Sequence, residues 1–537
     1  MSAMDIQKKD GATDLMRGVL IVGSGACAWR LARNLAGHCV PVWIATSGAG
    51  PEDKEGIHIL NGARLTGCTG YAGGFEARLL QNGRPVRRQV AAIALAVEEK
   101  RRPNFTAYGL EAAEKIRDIS AIEKQLSKKP VERIFIPGGR VAFFNGWQEE
   151  SHPVVTARML TACLTLQKEK IAQAFFITGN LKVADDGLEA LCHEAKAMGV
   201  VFVKCTDQFP QTRALEDGRI QIDYWDESTR SVHQLKADGV VVDECIEPDP
   251  TLGQLASALD IEVDAGGFAQ GDNVRRWSNF TNRRGIFTAG SSRTILSSEQ
   301  KRQDADQTAL EILKFLHDGD KEDLPQVEII PGRCARCLTC HRLCPHRAID
   351  IGSRISVVPQ ACQSCGICAA GCPARAIEVQ GVHLMRLQDL IFGLPETPKD
   401  EKAFEPRLVL FCCSRSAGQA HRLALAMGAC LPAGMLVVDV PCGGAVSVKD
   451  LLTAFDSGAD GVMLCTCHQD NCRSQQGSGH ARKRAGAALD VLDMAGMESE
   501  RLQVLGLAAN MGAEFVHGAA AFHRKIQALG PWAKSIA

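Results

Sequence analysis

The chain contains no apolar run of the roughly 18 to 20 residues that a membrane-spanning helix requires, so it has no predicted span of its own. Its 537 residues carry a formal net charge of -1, only 5% are aromatic, and 3 are tyrosine. No basic run is interleaved with aromatic residues as a base-stacking surface would need. These absences argue against a nucleic-acid partner, and we expect any association with the inner face of a membrane to be made through a partner subunit.

A secretory signal and a redox-active dithiol are also absent. Residues 1–17 are polar, without the apolar segment of a signal, and we expect a short loose tail there. Residues 1–325 contain no Cys-x2-Cys or Cys-x4-Cys pair, so a dithiol–disulfide reductase mechanism would lack its reagent. The chain nevertheless has 22 cysteines, and using them to bind metal fits a reducing cytoplasm.

Eight of these cysteines form two runs of the same spacing, C-x2-C-x2-C-x3-C-P, which is the spacing of bacterial ferredoxins. In that arrangement the fourth cysteine of each run binds the cluster of the other run. The sequence therefore predicts two 4Fe-4S clusters, one held by Cys334, Cys337, Cys340 and Cys372 and the other by Cys362, Cys365, Cys368 and Cys344. Zinc, which favours paired Cys-x2-Cys hooks, and disulfides are the alternatives.

The start of the chain predicts a strand, a glycine-containing turn, a helix and a second strand. Small residues at such a turn let the backbone approach a pyrophosphate, and the helix N-terminus offers it unpaired N–H groups. The predicted contacts are Gly23, Gly25, Ala26 and Ala28. The second strand ends at Thr46 rather than at the usual acidic residue, so Thr46 is the candidate for the ribose hydroxyls.

A late segment, Arg284 to Ser292, reads as the strand of a flavoprotein that brings the middle of FAD against a following helix, here residues 299–316. Its predicted contacts are Gly290, Ser291 and Ser292, although flavoproteins often have an aspartate in this position; a simple strand–loop–helix is the alternative. Between the two halves lies a second α/β subdomain at 130–240. We expect its first turn at Gly179, where the glycine fingerprint of NAD or NADP is missing.

Several segments of residues 18–316 resemble the flavin portion of the A subunit of heterodisulfide reductase. They are Gly70 to Glu76, Gly199 to Phe202, Leu259 to Ile261 with Gly266 to Phe268, and Arg284 to Ser292. That family has an additional iron–sulfur cluster beside the FAD. The matching segment here, Val155 to Thr161, retains the arginine and none of the thiols, so the resemblance extends neither to that cluster nor to electron bifurcation.

After a predicted linker at 381–406, short strands alternate with helices, which predicts a parallel sheet with all strand ends at one edge. Cysteines at these ends should converge. The arrangement resembles the delta subunit of methyl-viologen-reducing hydrogenase, which implies a 2Fe-2S cluster. The predicted ligands are Cys442, Cys467 and Cys472, with a fourth from Cys412, Cys413 or Cys465; zinc or an empty thiol pocket is the alternative.

These observations predict an α/β multidomain chain. Its domains are a two-dinucleotide-binding, Rossmann-like FAD domain (18–325), a bacterial ferredoxin domain with two 4Fe-4S clusters (326–380) and a parallel α/β domain (407–537). The order resembles the A subunit of heterodisulfide reductase fused to the hydrogenase delta subunit, and also the B subunit of the quinone-interacting membrane-bound oxidoreductase (Qmo) complex. The resemblance implies an electron-transfer subunit whose partners are other subunits of such a complex. A self-sufficient NAD(P)H:acceptor oxidoreductase and a non-redox scaffold are the alternatives.

Overall fold

The computed structural model describes residues 18–48, 56–128, 138–147, 149–206, 208–227, 229–269, 279–318, 327–359, 361–379 and 404–532. The predicted tail at 1–17 and most of the predicted linker at 381–406 lie outside these residues. The chain divides into two compact units. The first comprises Met1–Val97, Thr251–Arg293 and Arg302–Ala537, and the second comprises Glu98–Pro250 and Thr294–Lys301.

The first unit begins with the predicted strand, helix and strand. The elements are β1 (Val19–Val22), α1 (Ala26–Ala36), β2 (Val42–Thr46), β3 (Ile57–Asn61), β4 (Ala63–Tyr71), β5 (Gly74–Gln81), β6 (Arg84–Val90) and β7 (Ala92–Leu95). All residues of β1 and β2 are buried, as the continuous apolar runs of a parallel sheet require. Strands β4, β5 and β6 form a separate antiparallel sheet.

The second unit is an α/β subdomain whose elements follow in chain order. They are β8 (Lys100–Pro103), β9 (Ile116–Asp118), α2 (Ile119–Leu126), β10 (Gly139–Asn145), α3 (Pro153–Lys168), β11 (Ala172–Thr178), α4 (Leu188–Ala197), β12 (Val201–Lys204), β13 (Gln211–Ala214), β14 (Ile220–Asp226), β15 (Ser231–Ala237), β16 (Gly239–Val242) and β17 (Glu244–Glu247). Its main sheet is parallel, in the order β12-β11-β10-β16-β9. Strand β10 comes before β11 along the chain and lies at the centre of this sheet. The prediction of the first turn at Gly179 was therefore wrong, and the corresponding turn follows Asn145.

The chain then returns to the first sheet. The elements are α5 (Leu252–Leu259), β18 (Ile286–Thr288) and α6 (Ser298–Asp318), which confirm the predicted late strand and helix. Strand β18 pairs with β7 and completes a parallel sheet in the order β18-β7-β1-β2-β3. The carboxyl ends of β1, β7 and β18 therefore lie side by side.

The segment that carries the two cysteine runs folds as two small antiparallel pairs with two short helices. The elements are β19 (Val327–Ile329), α7 (Thr339–Leu343), β20 (Ile349–Ile351), β21 (Ile355–Val357), α8 (Ile367–Ala370) and β22 (Ile377–Val379). Strand β19 pairs with β22, so the beginning of the first half meets the end of the second. Strands β20 and β21 pair between the halves.

The C-terminal segment confirms the predicted alternation of strands and helices. The elements are β23 (Leu408–Cys413), α9 (Ala417–Ala426), β24 (Met435–Val440), α10 (Val448–Asp456), β25 (Gly461–Thr466), α11 (Gly477–Met494), β26 (Leu502–Gly506) and α12 (Gly512–Leu529). The four strands are parallel, in the order β24-β23-β25-β26. Among the helices of the described ranges, none is long and apolar enough to cross a bilayer.

Candidate cofactor sites

The two cysteine runs have the same backbone conformation as well as the same spacing. Left-handed residues recur two and four positions after the first cysteine of each run, and three positions after its fourth. They are Arg336, Leu338 and Arg347 in the first run and Ser364, Gly366 and Arg375 in the second. A residue with a Cβ loses roughly 1 to 2 kcal/mol in this conformation. A left-handed residue next to right-handed ones turns successive N–H groups towards one concavity that can bind an anion, and many iron–sulfur sites are built in this way.

The cysteines of the two runs line two separate cavities, and each cavity contains cysteines of both runs. One is lined by Cys334, Cys337, Cys340 and Cys372, and the other by Cys344, Cys362, Cys365 and Cys368. The structure therefore brings together the two crossed sets of cysteines that the spacing predicts. In the parts of the chain that the structure describes, no group of three or more His, Cys, Asp or Glu residues is placed to hold a single metal ion.

The fourth cysteine of each run has an equivalent hydrogen bond. The N–H of Ala348 donates to Cys344 Sγ, and the N–H of Ala376 donates to Cys372 Sγ, each at 3.3 Å. Hydrogen bonds to the sulfurs are among the features that set the reduction potential of a bound cluster. The proline after each of these cysteines ends the preceding helical turn and leaves this donor in place.

The two cavities differ in exposure. Cys337 of the first is exposed, and a hydrogen bond with Thr339 lowers the pKa of its thiol. In the second, burial raises the pKa of both Cys365 and Cys368 to about 12. These buried thiols keep their protons at neutral pH, so metal binding there must release them.

Four cysteines converge at the carboxyl edge of the C-terminal sheet. Cys413 Sγ lies 3.8 Å from Cys467 Sγ, and Cys472 shares hydrogen bonds with both Cys467 and Cys442. All four residues are almost completely buried. The hydrogen bond with Cys467, and after it burial, raise the pKa of the Cys413 thiol. We call Cys413, Cys442, Cys467 and Cys472 the C-terminal quartet.

Cys412 and Cys465 do not belong to this quartet, although both were candidates for the fourth ligand. The structure extends β23 to Cys413, so Cys412 and Cys413 are successive strand residues and point to opposite faces of the sheet. Cys412 lies opposite Cys465 in the register and packs in the apolar core with Phe515. This corrects the prediction that includes Cys412 and leaves Cys413 as the fourth member.

Helix α11 begins directly against the quartet. A Cβ on its first residue, Gly477, would collide with Cys442 Sγ and would lie 3.1 Å from Cys472 Sγ. The helix has no side-chain cap and no acidic residue in its first turn. Its N-terminal dipole therefore favours negative charge at the quartet.

The turn after β1 has the features expected of a pyrophosphate site. Gly23 has φ +149°, and a side chain there would collide with the carbonyl of Ala96 at the end of β7. Gly25 begins α1 without a side-chain cap, and the first turn of α1 has no acidic residue. Ala26 is exposed beside it. An exposed helix N-terminus of this kind attracts an anion such as a pyrophosphate.

Two of the predicted contacts in this region have structural roles instead. Ala28 is fully buried and packs α1 against the sheet, which corrects its prediction as a cofactor contact. Thr46 is 3% exposed, and its hydroxyl donates to the carbonyl of Gly48 at 2.8 Å. That hydroxyl also accepts from the Gly48 N–H at 3.2 Å, so Thr46 closes the turn after β2 and does not offer itself to a ribose.

The segment after β18 meets the same turn. Gly290 has φ +60°, and a Cβ on it would lie 2.7 Å from Cys27 Sγ in the first turn of α1. Ser291 and Ser292 are both buried, and the hydroxyl of Ser292 accepts from the Val97 N–H at 2.8 Å. The structure thus brings the early and late halves of the predicted flavin site together, with the serines holding the turn from inside.

Sequence reasoning missed Asp304, which anchors this turn from helix α6. Asp304 is 5% exposed and accepts from the Gly290 N–H at 2.6 Å. It also pairs with Arg293 at 2.7 Å. No aspartate follows the Ala-Gly pair in sequence, and nothing local marks an acid at the second turn of α6 as its partner.

A nicotinamide cofactor would need a glycine-rich turn after β10. In this structure the turn is filled by side chains of the same unit. The Gly146 N–H donates to Tyr108 Oη at 2.9 Å and to Asp243 Oδ2 at 3.0 Å. A Cβ on Gly179 would lie 2.5 Å from the carbonyl oxygen of Gly146. Trp147 is buried against Tyr108. These described residues of the turn give no support to a dinucleotide site.

The arginine retained in the segment Val155 to Thr161 forms ion pairs. Arg158 lies on α3 and contacts Glu123 at 2.6 Å and the almost fully buried Glu244 at 2.8 Å. Burial by itself raises the pKa of Glu244, but the hydrogen bonds from Ser120 and Arg158 outweigh it and the pKa is lowered. Arg158 therefore neutralises a buried carboxylate.

Comparison with known proteins divides the chain into two parts, each of which is similar to a different protein family. Residues 408–530 match the family described as methyl-viologen-reducing hydrogenase, delta subunit. The D iron–sulfur subunit of the F420-non-reducing hydrogenase of Archaeoglobus profundus is 30% identical over 129 residues, which are 24% of this chain and 94% of that protein.

The larger part is similar to the A subunit of heterodisulfide reductase. In Methanosarcina mazei, the A subunit of the ferredoxin:CoB-CoM heterodisulfide reductase is 25% identical over 354 residues, which are 66% of this chain and 44% of that protein. The chain thus spans less than half the length of this relative. Among solved structures, a thioredoxin reductase of T. acidophilum aligns over 57% of this chain and 99% of its own, with a TM-score of 0.37 and 15% identity.

The match to the hydrogenase iron–sulfur protein covers nearly the whole of that relative. The residues that match the family, 408–530, include all four members of the C-terminal quartet. Through residues 408–530 the chain therefore belongs to the methyl-viologen-reducing hydrogenase delta-subunit family, and it joins that domain to a longer part homologous to the A subunit of heterodisulfide reductase.

Proposed function

We propose that the chain is an electron-transfer flavin and iron–sulfur subunit of a multi-subunit oxidoreductase of the heterodisulfide reductase or Qmo type. The observation that carries this proposal is the arrangement of twelve cysteines in three quartets within one compact unit. A flavin exchanges electrons in pairs and each cluster carries one, so the set forms a one-electron chain with a two-electron junction.

The ferredoxin quartets would each hold a 4Fe-4S cluster. The repeated left-handed residues, the N–H donors to Cys344 and Cys372 and the apolar lining support such clusters. The C-terminal quartet would hold a 2Fe-2S cluster, in keeping with the iron–sulfur proteins to which this domain is related. Gly477 leaves the space beside two of its sulfurs free, and the α11 N-terminus offsets the charge of the cluster.

FAD would bind at the turn after β1. Gly23 and Gly25 allow its pyrophosphate to approach the N-terminus of α1, and Gly290 allows the late turn to lie against that helix. Asp304 and Ser292 hold the late turn from the protein side, away from the cofactor. No acidic residue ends β2, so the adenosine end must be held by other groups than a carboxylate at position 46.

Substrate chemistry would then belong to partner subunits, with this chain conducting electrons between them. The filled turn after β10 supports this division, because it leaves NADH no cradle among the described residues. We place the complex in the cytoplasm, with any contact at the inner face of a membrane made through a partner.

Two measurements test the proposal. Anaerobic purification of the native complex should recover subunits with their own substrate-binding or hydrogenase sites bound to this chain. The isolated chain, loaded with its cofactors, should be reduced by dithionite but should not be bleached by NADH at a useful rate. Rapid bleaching by NADH would favour a self-sufficient oxidoreductase, and a native chain without iron or flavin would favour a scaffold.

A further inference from the structure

The loop of the second ferredoxin quartet lies directly against the loop of the C-terminal quartet. Gly366, which follows Cys365, has φ +77°, and a Cβ on it would lie 2.8 Å from the Cβ of Ala445. A Cβ on Gly444 would lie 3.1 Å from Ile367 Cγ1. Each loop thus places a glycine against a side chain of the other loop, Gly366 against Ala445 and Gly444 against Ile367, and the two loops pack closely.

A single guanidinium joins the two loops. Arg484 lies on α11, two turns after Gly477, and its Nη1 donates to the carbonyl of Gly444. Its Nη2 donates to the carbonyl of Ile367 at 3.2 Å. Gly444 is two residues after Cys442, and Ile367 is directly before Cys368. The arginine therefore binds one carbonyl beside each quartet.

Building on the proposed function, in which an electron passes between the second ferredoxin cluster and the C-terminal cluster, we infer that Arg484 is the positioning residue that holds these two cluster loops together and that its charge raises the potentials of both clusters. The step moves one electron, so one cluster is oxidised as the other is reduced, and no bond, proton or further reductant is involved. The Arg484 guanidinium also lies near Gly371, which precedes Cys372 of the first ferredoxin quartet, since a Cβ on Gly371 would lie 3.3 Å from Nη2.

The charge of Arg484 gives the inference a measurable consequence. A fixed positive charge beside a cluster stabilises its reduced, more negative state, and the effect is large where water is excluded. Replacing Arg484 by a neutral residue should therefore lower the midpoint potentials of the two adjacent clusters. The potential of the cluster of Cys334, Cys337, Cys340 and Cys372 should fall less, because the two carbonyls that Arg484 binds lie beside Cys442 and Cys368, and this cluster serves as the reference within the same molecule.

The test compares three variants of the full chain with the wild type, purified anaerobically with iron and labile sulfide measured first. Arg484→Gln removes the charge and the bridge, and Arg484→Lys keeps the charge but reaches only one carbonyl. Lys483→Gln removes the same charge from the neighbouring, exposed position of the same helix and is the matched control. Redox titrations followed by EPR give the three midpoint potentials and the spin–spin splitting between the two adjacent clusters.

We expect Arg484→Gln to lower both adjacent potentials and to weaken the splitting between these two clusters, with a smaller change of potential at the reference cluster. Arg484→Lys should return the potentials towards those of the wild type while the splitting stays weakened, and Lys483→Gln should resemble the wild type throughout. If Arg484→Gln fails to retain iron, the splitting in Arg484→Lys decides, and an undiminished splitting there contradicts the bridge.

Unchanged potentials in an iron-replete Arg484→Gln chain, or an equal shift of all three signals, would overturn the inference and leave the proposed function standing. A wild-type chain without iron at the C-terminal quartet would overturn both. The iron content of the wild type therefore separates the two failures.

Discussion

Cys412 and Cys413 are adjacent in sequence but lie in different surroundings, because both belong to strand β23. Cys413 faces the other members of the C-terminal quartet, whereas Cys412 faces the core on the other side of the sheet. The family resemblance points to a cysteine in this place, but only the end of the strand determines which one. If β23 ended at Phe411, neither cysteine would belong to the strand, and the strand would not determine which of them faces the quartet.

We expect Cys413→Ala to remove about two irons per chain, since a 2Fe-2S cluster needs all four of its protein ligands. Cys412→Ala is the matched control. It should retain this iron and lose only about 1 kcal/mol of unfolding free energy for the small cavity in the core. Iron and sulfide contents of the two purified variants measure the difference. Equal iron loss in both variants, or loss only in Cys412→Ala, would refute the assignment of Cys413.

The crossed ligation of the ferredoxin clusters makes a second residue-scale prediction. Cys344 belongs to the first run by sequence but lines the cavity of the second. Cys344→Ser should therefore perturb the same EPR signal as Cys365→Ser, and Cys337→Ser should perturb the other. A Cys344→Ser signal that follows Cys337→Ser would show that each run binds its own cluster.

Loss of Arg158 should destabilise the second unit strongly. Glu244 has a side chain only 1% exposed, so Arg158→Met would leave its charge buried and unpaired, at a loss of about 3 to 5 kcal/mol in unfolding free energy. Lys168→Met on the same helix breaks an exposed ion pair with Glu194 and should lose about 1 kcal/mol or less. Denaturant unfolding of both variants at pH 7 provides the comparison.

The pH dependence of the Arg158→Met effect follows from the charge of Glu244. In the wild type the pKa of Glu244 is lowered, so its contribution to stability is present above the unfolded pKa and is lost as the pH falls through the folded pKa. Without Arg158, burial would raise that pKa. The difference between variant and wild type should then shrink in acid, because protonation removes the unpaired charge. A difference that stays constant from neutral pH down into the acid range would contradict an electrostatic role.

At the scale of elements, the N-terminus of α1 is the part of the flavin site that a substitution tests best. Gly25→Asp places a side chain and a negative charge where the pyrophosphate should lie, and we expect it to lose FAD. Gly37→Asp makes the same substitution at the exposed opposite end of the helix, where the φ of -59° suits any residue. Flavin absorbance per chain measures the outcome, and stoichiometric FAD in Gly25→Asp would exclude this site.

Local patterns predict most of the elements, and non-local contacts explain what they miss. The apolar runs of β1, β2, β23 and β25 are confirmed because a parallel sheet buries both faces of its inner strands. Strand β10 was missed, and with it the true first turn of the second subdomain. Asp304 could not be found either, because its partner Gly290 is fourteen positions away and on another element.

The cysteine spacing predicts more of the site than the strand pattern does. A C-x2-C-x2-C-x3-C-P run fixes which backbone turns must be left-handed, and the structure shows the same turns in both runs. In the C-terminal domain the cysteines are spread over three strand ends, so their meeting depends on strand order and strand length. That is why the quartet could be predicted as a group while its fourth member could not.

At the scale of the molecule, the first unit contains all three quartets and the predicted flavin turn, whereas the second unit retains an α/β fold with a filled turn. The proposed electron transfer therefore belongs to the first unit. In this proposal the second unit is a part of the fold whose stability depends on Arg158 and whose described turn after β10 is filled by its own side chains.

The central claim is that three cysteine quartets hold three clusters in one chain. Its most direct test is the content of iron, labile sulfide and flavin in the full-length protein purified without oxygen, together with EPR of the reduced form. We predict about ten irons and ten sulfides per chain, one FAD, and three EPR signals with separate midpoint potentials. About eight irons with two signals would contradict the C-terminal cluster, and stoichiometric zinc in place of iron would contradict all three clusters.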